Sequence, residues 1–340
     1  GVVEEAMIVR MCDLIAHRGP DGQGAEILGD GRVGLAHRRL SIIDPSPDGH
    51  QPMRSSCGRY IVTYNGEIYN ANTLRKELEY RGHKFKTDHS DTEILLHGYR
   101  EWGSELVNKL NGMWAFGIYD KKRKVLFLSR DRFGQKPLFY TLQNGTFAFA
   151  SELKAFQQHQ GLTMSLSNLS LQKYCVHGYF PGDHTPYQGI FKLSAGCNLF
   201  FELNEKTPRI KRYWSYIIEP DHGESKLIEK RWTEEIKDLL EKSVCRRLVA
   251  DVPVGVFLSG GLDSTTIAYY ASRYLPRGEL KTFSIGFEDQ TFDETKWAQQ
   301  AANLLGTKHL VTLFRKNLLK TLLSELLEKL DEPLSDSSIV

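Results

Sequence analysis

The run FLSGGLDSTTIAYY, residues 257–270, ends an apolar stretch in a small-residue turn and passes into a helical pattern. Gly260 and Gly261 let a backbone come close to an anion, and Ser259 and Ser264 add hydroxyls beside the free N–H groups of a helix start. That combination suits phosphate. A loop serving γ-phosphoryl transfer carries a lysine that reaches the β- and γ-phosphates. Here no lysine is present and Asp263 stands in the turn. A carboxylate beside phosphate makes sense through a bridging cation, so the turn reads as a holder of pyrophosphate in its Mg2+ complex, with Asp263 toward the metal. A Ser/Gly turn that only caps a helix is the plain alternative. A second glycine motif, GDGRVG at 29–34, fits G-x-G-x-x-G but is followed by the strand-like LAHRRLSII. A dinucleotide site needs a helix at that place, so this motif is expected to be a hairpin turn.

The elements that must hold the phosphate turn alternate: helix 232–248, strand 253–258, helix 264–274, strand 281–287, helix 293–305, strand 308–313 and helix 316–330. This order predicts a parallel sheet with crossover helices. The first two hundred residues have a different texture. AEILGDGRVGLAH alternates about Asp30-Gly31, MWAFGIYDKKRKVLFLSR turns at its charged run 120–124, and PLFYTLQNGTFAFASEL turns at Asn144-Gly145. These are hairpin signals, and the charged run is a solvated turn. Helices are expected at 73–81, where Leu74 and Leu78 sit one turn apart before Gly82, and at 91–101. The expected layout is an antiparallel α+β domain over 1–214, a polar linker over 215–230 and a parallel α/β domain over 231–340.

At 340 residues there is material for two cores, and the content of 41% apolar and 25% charged residues is that of a globular chain. Lys and Arg number 44 against 42 acids, so no global field draws nucleic acid or an anionic membrane, and neither is expected as a partner. No apolar run is long enough to span a bilayer, and the opening residues lack the apolar core of a signal peptide. Cys12, Cys57, Cys175, Cys197 and Cys245 are odd in number and form no CxxC pair, which suits a reducing, cytoplasmic setting rather than a disulfide framework or a zinc site.

HRGPDG (17–22), LAHRRLSIID (35–44), YNGEIYN (64–70), SDTE (90–93) and RDRFGQKPLFY (130–140) occur in that order ahead of SGGLDS. Together they resemble the glutamine-dependent asparagine synthetases of the bacterial type, over nearly the whole chain. The resemblance implies an N-terminal-nucleophile glutaminase, a sandwich of two antiparallel sheets between helices, followed by an α/β parallel-sheet domain of the ATP pyrophosphatase type. It implies a carbon–nitrogen ligase with small-molecule substrates glutamine, aspartate and ATP, with Mg2+, in a cytoplasmic enzyme of the kind often found as a homodimer. Glutamine gives ammonia at the front site, ATP adenylates the side chain of aspartate at the rear site, and ammonia displaces AMP. Rival readings are a related amidotransferase or lactam synthetase acting on another carboxylate, and a non-catalytic scaffold.

Carried onto this sequence, the resemblance makes Asn65 and Gly66 the oxyanion donors, Arg39 the clamp for glutamine's carboxylate, and Glu67 and Asp91 the acids for its ammonium. Each has a plain alternative: NGE as a hairpin turn, Asp91 as a helix cap. Leu258, Ser259, Gly260, Gly261, Asp263, Ser264 and Ile285 would hold ATP, with Leu258 and Ile285 either at the adenine or in the core. Asp336 and Ser337 of DEPLSDSS would belong to the synthetase site. The charged RDRFGQKPLFY and SELK (151–154) are expected to be structural. The family's nucleophile is a cysteine at the mature N-terminus, and this chain has none there. Cys12 lies in a helical stretch and is expected to pack in it, so the sequence is expected to be a piece lacking both its first strand and its C-terminal part.

Overall fold

Alternation along the strands builds the first of two compact units, which comprises residues to Ile217 together with the segment from Leu330. The computed structural model describes residues 2–220, 226–288, 291, 293–315 and 319–335. In chain order this unit contains helix α1 (Glu5–Asp13) and the hairpin β1 (Gly22–Leu28) and β2 (Val33–Arg39). Strands β3 (Met53–Arg54) and β4 (Tyr60–Ile68) follow, then helices α2 (Ala71–Tyr80), α3 (Asp91–Trp102) and α4 (Leu106–Lys109). After them come β5 (Gly112–Asp120), β6 (Val125–Arg130), β7 (Phe139–Gln143), β8 (Thr146–Ala150), α5 (Asn168–His177), β9 (Ile190–Lys192), β10 (Cys197–Glu202) and β11 (Arg209–Arg212). One antiparallel sheet has the order β11-β10-β6-β5-β4-β3, and the opposing layer consists of the pair β1-β2 and the three strands β8-β7-β9.

The layers follow from the period of two. Along β5, Trp114, Phe116 and Ile118 face Leu74 and Leu78 of α2 and Ile94 and Leu95 of α3. Ala115 and Tyr119 point the other way, into a core with Leu35 of β2, Tyr140 of β7 and Leu138. The outer face of β7, β8 and β9, through Phe139, Ala148 and Ile190, meets Met11 of α1 and Phe156. The stack is therefore helices, sheet, sheet, helix, the sandwich expected from the motifs. GDGRVG is the hairpin turn between β1 and β2, and Asn144-Gly145 turns β7 into β8.

The second unit, Ile218–Lys329, contains α6 (Lys226–Arg247), β12 (Gly255–Phe257), α7 (Leu262–Ser272), β13 (Lys281–Phe287), α8 (Thr295–Leu305), β14 (Lys308–Phe314) and α9 (Leu319–Lys329). The strands pair in parallel, with Phe257 opposite Phe283 and Ser284 opposite Val311. Small residues draw the crossover helices together: Ala268 of α7 and Ala298 and Ala302 of α8 close on Leu258. Several boundaries differ from expectation by a few residues, among them the starts of α6 and α7. Helix α6 begins within the stretch expected to be linker. Helix α7 begins at Leu262, not at 264, because Gly261 takes the extended N-cap conformation (φ −70°, ψ 168°). Asp263 therefore sits in the first helical turn, where the helix dipole favours a carboxylate.

Candidate active site

Three elements of the first unit deliver the five expected glutamine-site residues to one cavity of about 520 Å³. Arg39 comes from the end of β2, Asn65, Gly66 and Glu67 from β4, and Asp91 from the start of α3, and all five line that cavity. Its volume is in the range of small-molecule pockets. The alternating strand puts Asn65 and Glu67 on one side of β4. The Asn65 amide makes no hydrogen bond to another of the described residues, so its donors are available to a ligand. Gly66 is required by a close approach: a Cβ there would fall 2.1 Å from the Met113 carbonyl oxygen of β5.

Arg39 is held from behind. Its guanidinium donates to the carbonyls of Ser46 at 3.0 Å and Ile43 at 3.3 Å, and to that of Asp44. A guanidinium carries five N–H groups, so three carbonyls leave it capacity toward the cavity. Asp91 is engaged on the other side: its Oδ2 accepts from the Tyr64 hydroxyl and from the Ile68 N–H, both at 3.0 Å. Burial pushes its carboxyl pKa up, against the pull of those hydrogen bonds. Asp91 therefore ties α3 to β4 as well as facing the cavity.

The cavity also contains residues that the motifs did not single out. His37 lies two positions before Arg39 on β2, and its Nδ1 is 3.3 Å from the Thr63 oxygen Oγ1. Burial, with the Arg39 and His50 charges adding, holds its pKa down at about 4, so the ring is neutral near neutral pH. The i, i+2 spacing in LAHRRL was the available signal that His37 and Arg39 share a face. Gln51 fixes β4 by accepting from Tyr64 N at 2.7 Å. Cys12 lines the cavity from α1, is 7% exposed, and has its thiol pKa raised by burial. A thiol that resists ionisation is a poor nucleophile.

RDRFGQKPLFY is a brace. The fully buried Asp131 carboxylate accepts from the N–H groups of Phe133, Gln135 and Lys136, each at 3.0 Å, and of Trp114 at 3.3 Å. Arg130 donates to the carbonyls of Lys136, Leu193 and Gly134 at 2.7–2.8 Å. The brace sets Lys136 against the cavity.

In the second unit the phosphate-type turn is open to solvent. Its serines brace it: Ser259 N donates to Ser264 Oγ at 3.2 Å, the two hydroxyls are 3.0 Å apart, and Gly261 N donates to Ser259 Oγ at 3.3 Å. Gly260 has φ +82°, and a Cβ there would lie 2.5 Å from the Ala298 N of α8. Only glycine fits. The Leu258 side chain is 1% exposed in the core, so its contact with a base would be through backbone alone. Ile285 is 53% exposed on the face of β13 that carries Phe283 and Phe287. Asp336 and Ser337 lie outside the described residues. Among the described residues no three His, Cys, Asp or Glu side chains gather as a metal cage. A lone exposed Asp263 fits Mg2+ arriving on phosphate, since that ion keeps mostly phosphate and water oxygens.

Comparison with known proteins divides the chain as its two textures do. Residues 2–214 match the glutamine amidotransferase domain family, and residues 235–340 match the asparagine synthase family. An asparagine synthetase [glutamine-hydrolyzing] 1 of Bacillus subtilis is 37% identical over 337 residues, covering 99% of this chain and 51% of that protein. The asparagine synthetase [glutamine-hydrolyzing] 3 of the same organism is 36% identical, covering 91% of this chain and 51% of that protein. Amidase chry2 of Gibberella zeae is 33% identical, covering 92% of this chain and 47% of that protein. The chain thus spans about half the length of the curated relatives it matches.

Proposed function

The chain belongs to the glutamine amidotransferase family and carries an asparagine synthase domain behind it, and from that premise we propose that it forms part of a glutamine-hydrolysing asparagine synthetase. The observation that carries the reading is the convergence of Arg39, Asn65, Gly66, Glu67 and Asp91 on one cavity. Arg39 binds glutamine's α-carboxylate, and Glu67 and Asp91 bind its α-ammonium. Attack on the side-chain amide places negative charge on the carbonyl oxygen, where the Asn65 amide and Gly66 N–H donate. Cys12, which packs in α1 with its thiol pKa raised by burial, is not the proposed nucleophile. The enzyme releases glutamate and ammonia.

At the second site the substrate is ATP as its Mg2+ complex. The N–H groups and hydroxyls of Ser259–Ser264 hold the β- and γ-phosphates, and Asp263 is the residue that would hold the Mg2+ arriving on them. The aspartate side-chain carboxylate attacks the α-phosphorus and pyrophosphate leaves. Ammonia then attacks the acyl carbon and AMP departs, giving asparagine. Asp336 and Ser337 belong to this site in the same reading, and the backbone of Leu258 and the side chain of Ile285 flank the base. The domain limits proposed are 1–214 and 231–340, joined through 215–230. No helix among the described residues is long and apolar enough to cross a membrane. The five cysteines are all free, which supports a cytoplasmic enzyme, and a homodimer is the assembly proposed.

Asp263→Ala in the natural gene product tests the division of labour: asparagine formation should be lost while glutamine hydrolysis stays within about twofold. Loss of both activities together would refute it. Replacing aspartate by other carboxylates in the same assay tests the rival reading of another acceptor.

A further inference from the structure

At the wall of the glutamine cavity stands a charged cluster that the proposed reaction does not use. His17 and Arg18 line the cavity. Both reach back to one carboxylate: His17 Nε2 is 3.1 Å and Arg18 Nη1 2.9 Å from Glu152 Oε1. Glu152 is 8% exposed and precedes a short helical turn, Leu153–Gln158. Its other oxygen, Oε2, is buried without a hydrogen bond and has the Lys154 ammonium 3.4 Å away.

The same turn is capped from far along the chain. The Asp331 carboxylate accepts from Leu153 N and, at 3.3 Å, from Lys154 N, and lies 3.6 Å from the Lys154 ammonium. It supplies what the first N–H groups of a helical turn lack. Next to it Glu332 pairs with Lys192 at 2.9 Å, and Ser335 N donates to the Gly178 carbonyl at 2.9 Å. Residues 331–335 thus pack within the first unit, although they lie in the stretch that matches the asparagine synthase family. They directly precede the proposed synthetase residues Asp336 and Ser337.

We propose that Glu152 is a positioning residue for the glutamine site, and that the docking of Asp331 on Leu153 and Lys154 sets it. The chain of contact is short. Asp331 fixes the backbone of 153–154 and the Lys154 ammonium, these fix Glu152, and Glu152 fixes His17 and Arg18 in the cavity wall. A shift of 331–335 would then change how the wall receives glutamine. This inference rests on the proposed function for its meaning, but the contact itself is testable without it.

Two measurements separate the two. Hydrogen exchange on the 340-residue chain, followed by mass spectrometry, should show peptides over 14–19 and 152–158 exchanging at least fivefold faster in Asp331→Asn and in Glu152→Gln. Peptides of α2 and β5 should be unchanged. Protection at 14–19 that is untouched by Asp331→Asn would overturn the proposal. In the natural gene product either substitution should raise KM for glutamine about tenfold with little change in ammonia-dependent asparagine synthesis. The double variant should be no worse than the single ones, because both cut one chain of contacts. Additive effects on KM, or none, would overturn it. A wild-type protein that hydrolyses no glutamine would refute the proposed function instead, and the exchange data would still judge the contact.

Discussion

His37 gives an acid-sensitivity that can be worked out from its surroundings. An unperturbed imidazole titrates near 6.5, and burial with the Arg39 and His50 charges holds His37 at about 4. Its folded pKa is lowered, so between those values the unfolded chain binds the proton and the folded one does not. The stabilisation is fully present above pH 6.5 and is lost as pH falls toward 4. A displacement from 6.5 to about 4 corresponds to about 3 kcal/mol, an upper value because part of the ring meets the cavity. Two other windows must be kept apart. Glu93, although burial opposes its charge, is held at about 2 by bonds from His97, Thr87 and Lys86 N, so its contribution is lost only below the ordinary 4.5. Asp91, Asp331 and Glu332 have raised pKa values through burial, and they act in the opposite sense, their stabilising effect growing as pH falls. The comparison to make is therefore wild type against His37→Gln. Urea unfolding followed by far-UV circular dichroism should show wild type losing about 2–3 kcal/mol more than the variant between pH 7.5 and 4.5. Equal losses within about 0.5 kcal/mol would refute the reasoning, since surface substitutions alone scatter by that much.

Asp131→Ala removes the acceptor of four backbone N–H groups at a fully buried site, and should cost about 3–5 kcal/mol, read as a lower urea midpoint with unchanged slope. A loss under about 1 kcal/mol would show that the brace is dispensable. Gly260→Ala places a Cβ 2.5 Å from Ala298 N at φ +82°, so it should separate the turn from α8 and abolish the heat of ATP·Mg2+ binding in the natural gene product. Retained binding would show that the turn does not hold the phosphates.

Much of this fold is legible in sequence because its signals are local. The strand at 281–287 agrees residue for residue with β13, where Thr282 and Ser284 alternate with Phe283 and Ile285 across a single pleat. The start of α7 is two residues earlier than the pattern predicts because the conformation of Gly261, extended rather than helical, is not encoded in the residue type. The glutamine-site motifs named residues, but not their partners. That Asp91 is half committed to Tyr64 and Ile68, or that Arg39 leans on three carbonyls of its own loop, depends on tertiary placement. The same holds for Leu258: an apolar residue beside a phosphate turn serves base or core equally well until Ala268 and Ala298 leave it a space to fill. Asp331 and Glu152 are 179 positions apart in sequence, and no period or motif joins them.

The most direct test of the central claim uses two isotopes in the natural gene product. With glutamine labelled by 15N in its amide and aspartate labelled by 18O in its side-chain carboxylate, ATP·Mg2+ should give asparagine carrying 15N and AMP carrying one 18O. That pattern requires both ammonia transfer and an acyl-adenylate. Asparagine without 15N, or 18O found in inorganic phosphate with AMP unlabelled, would contradict it.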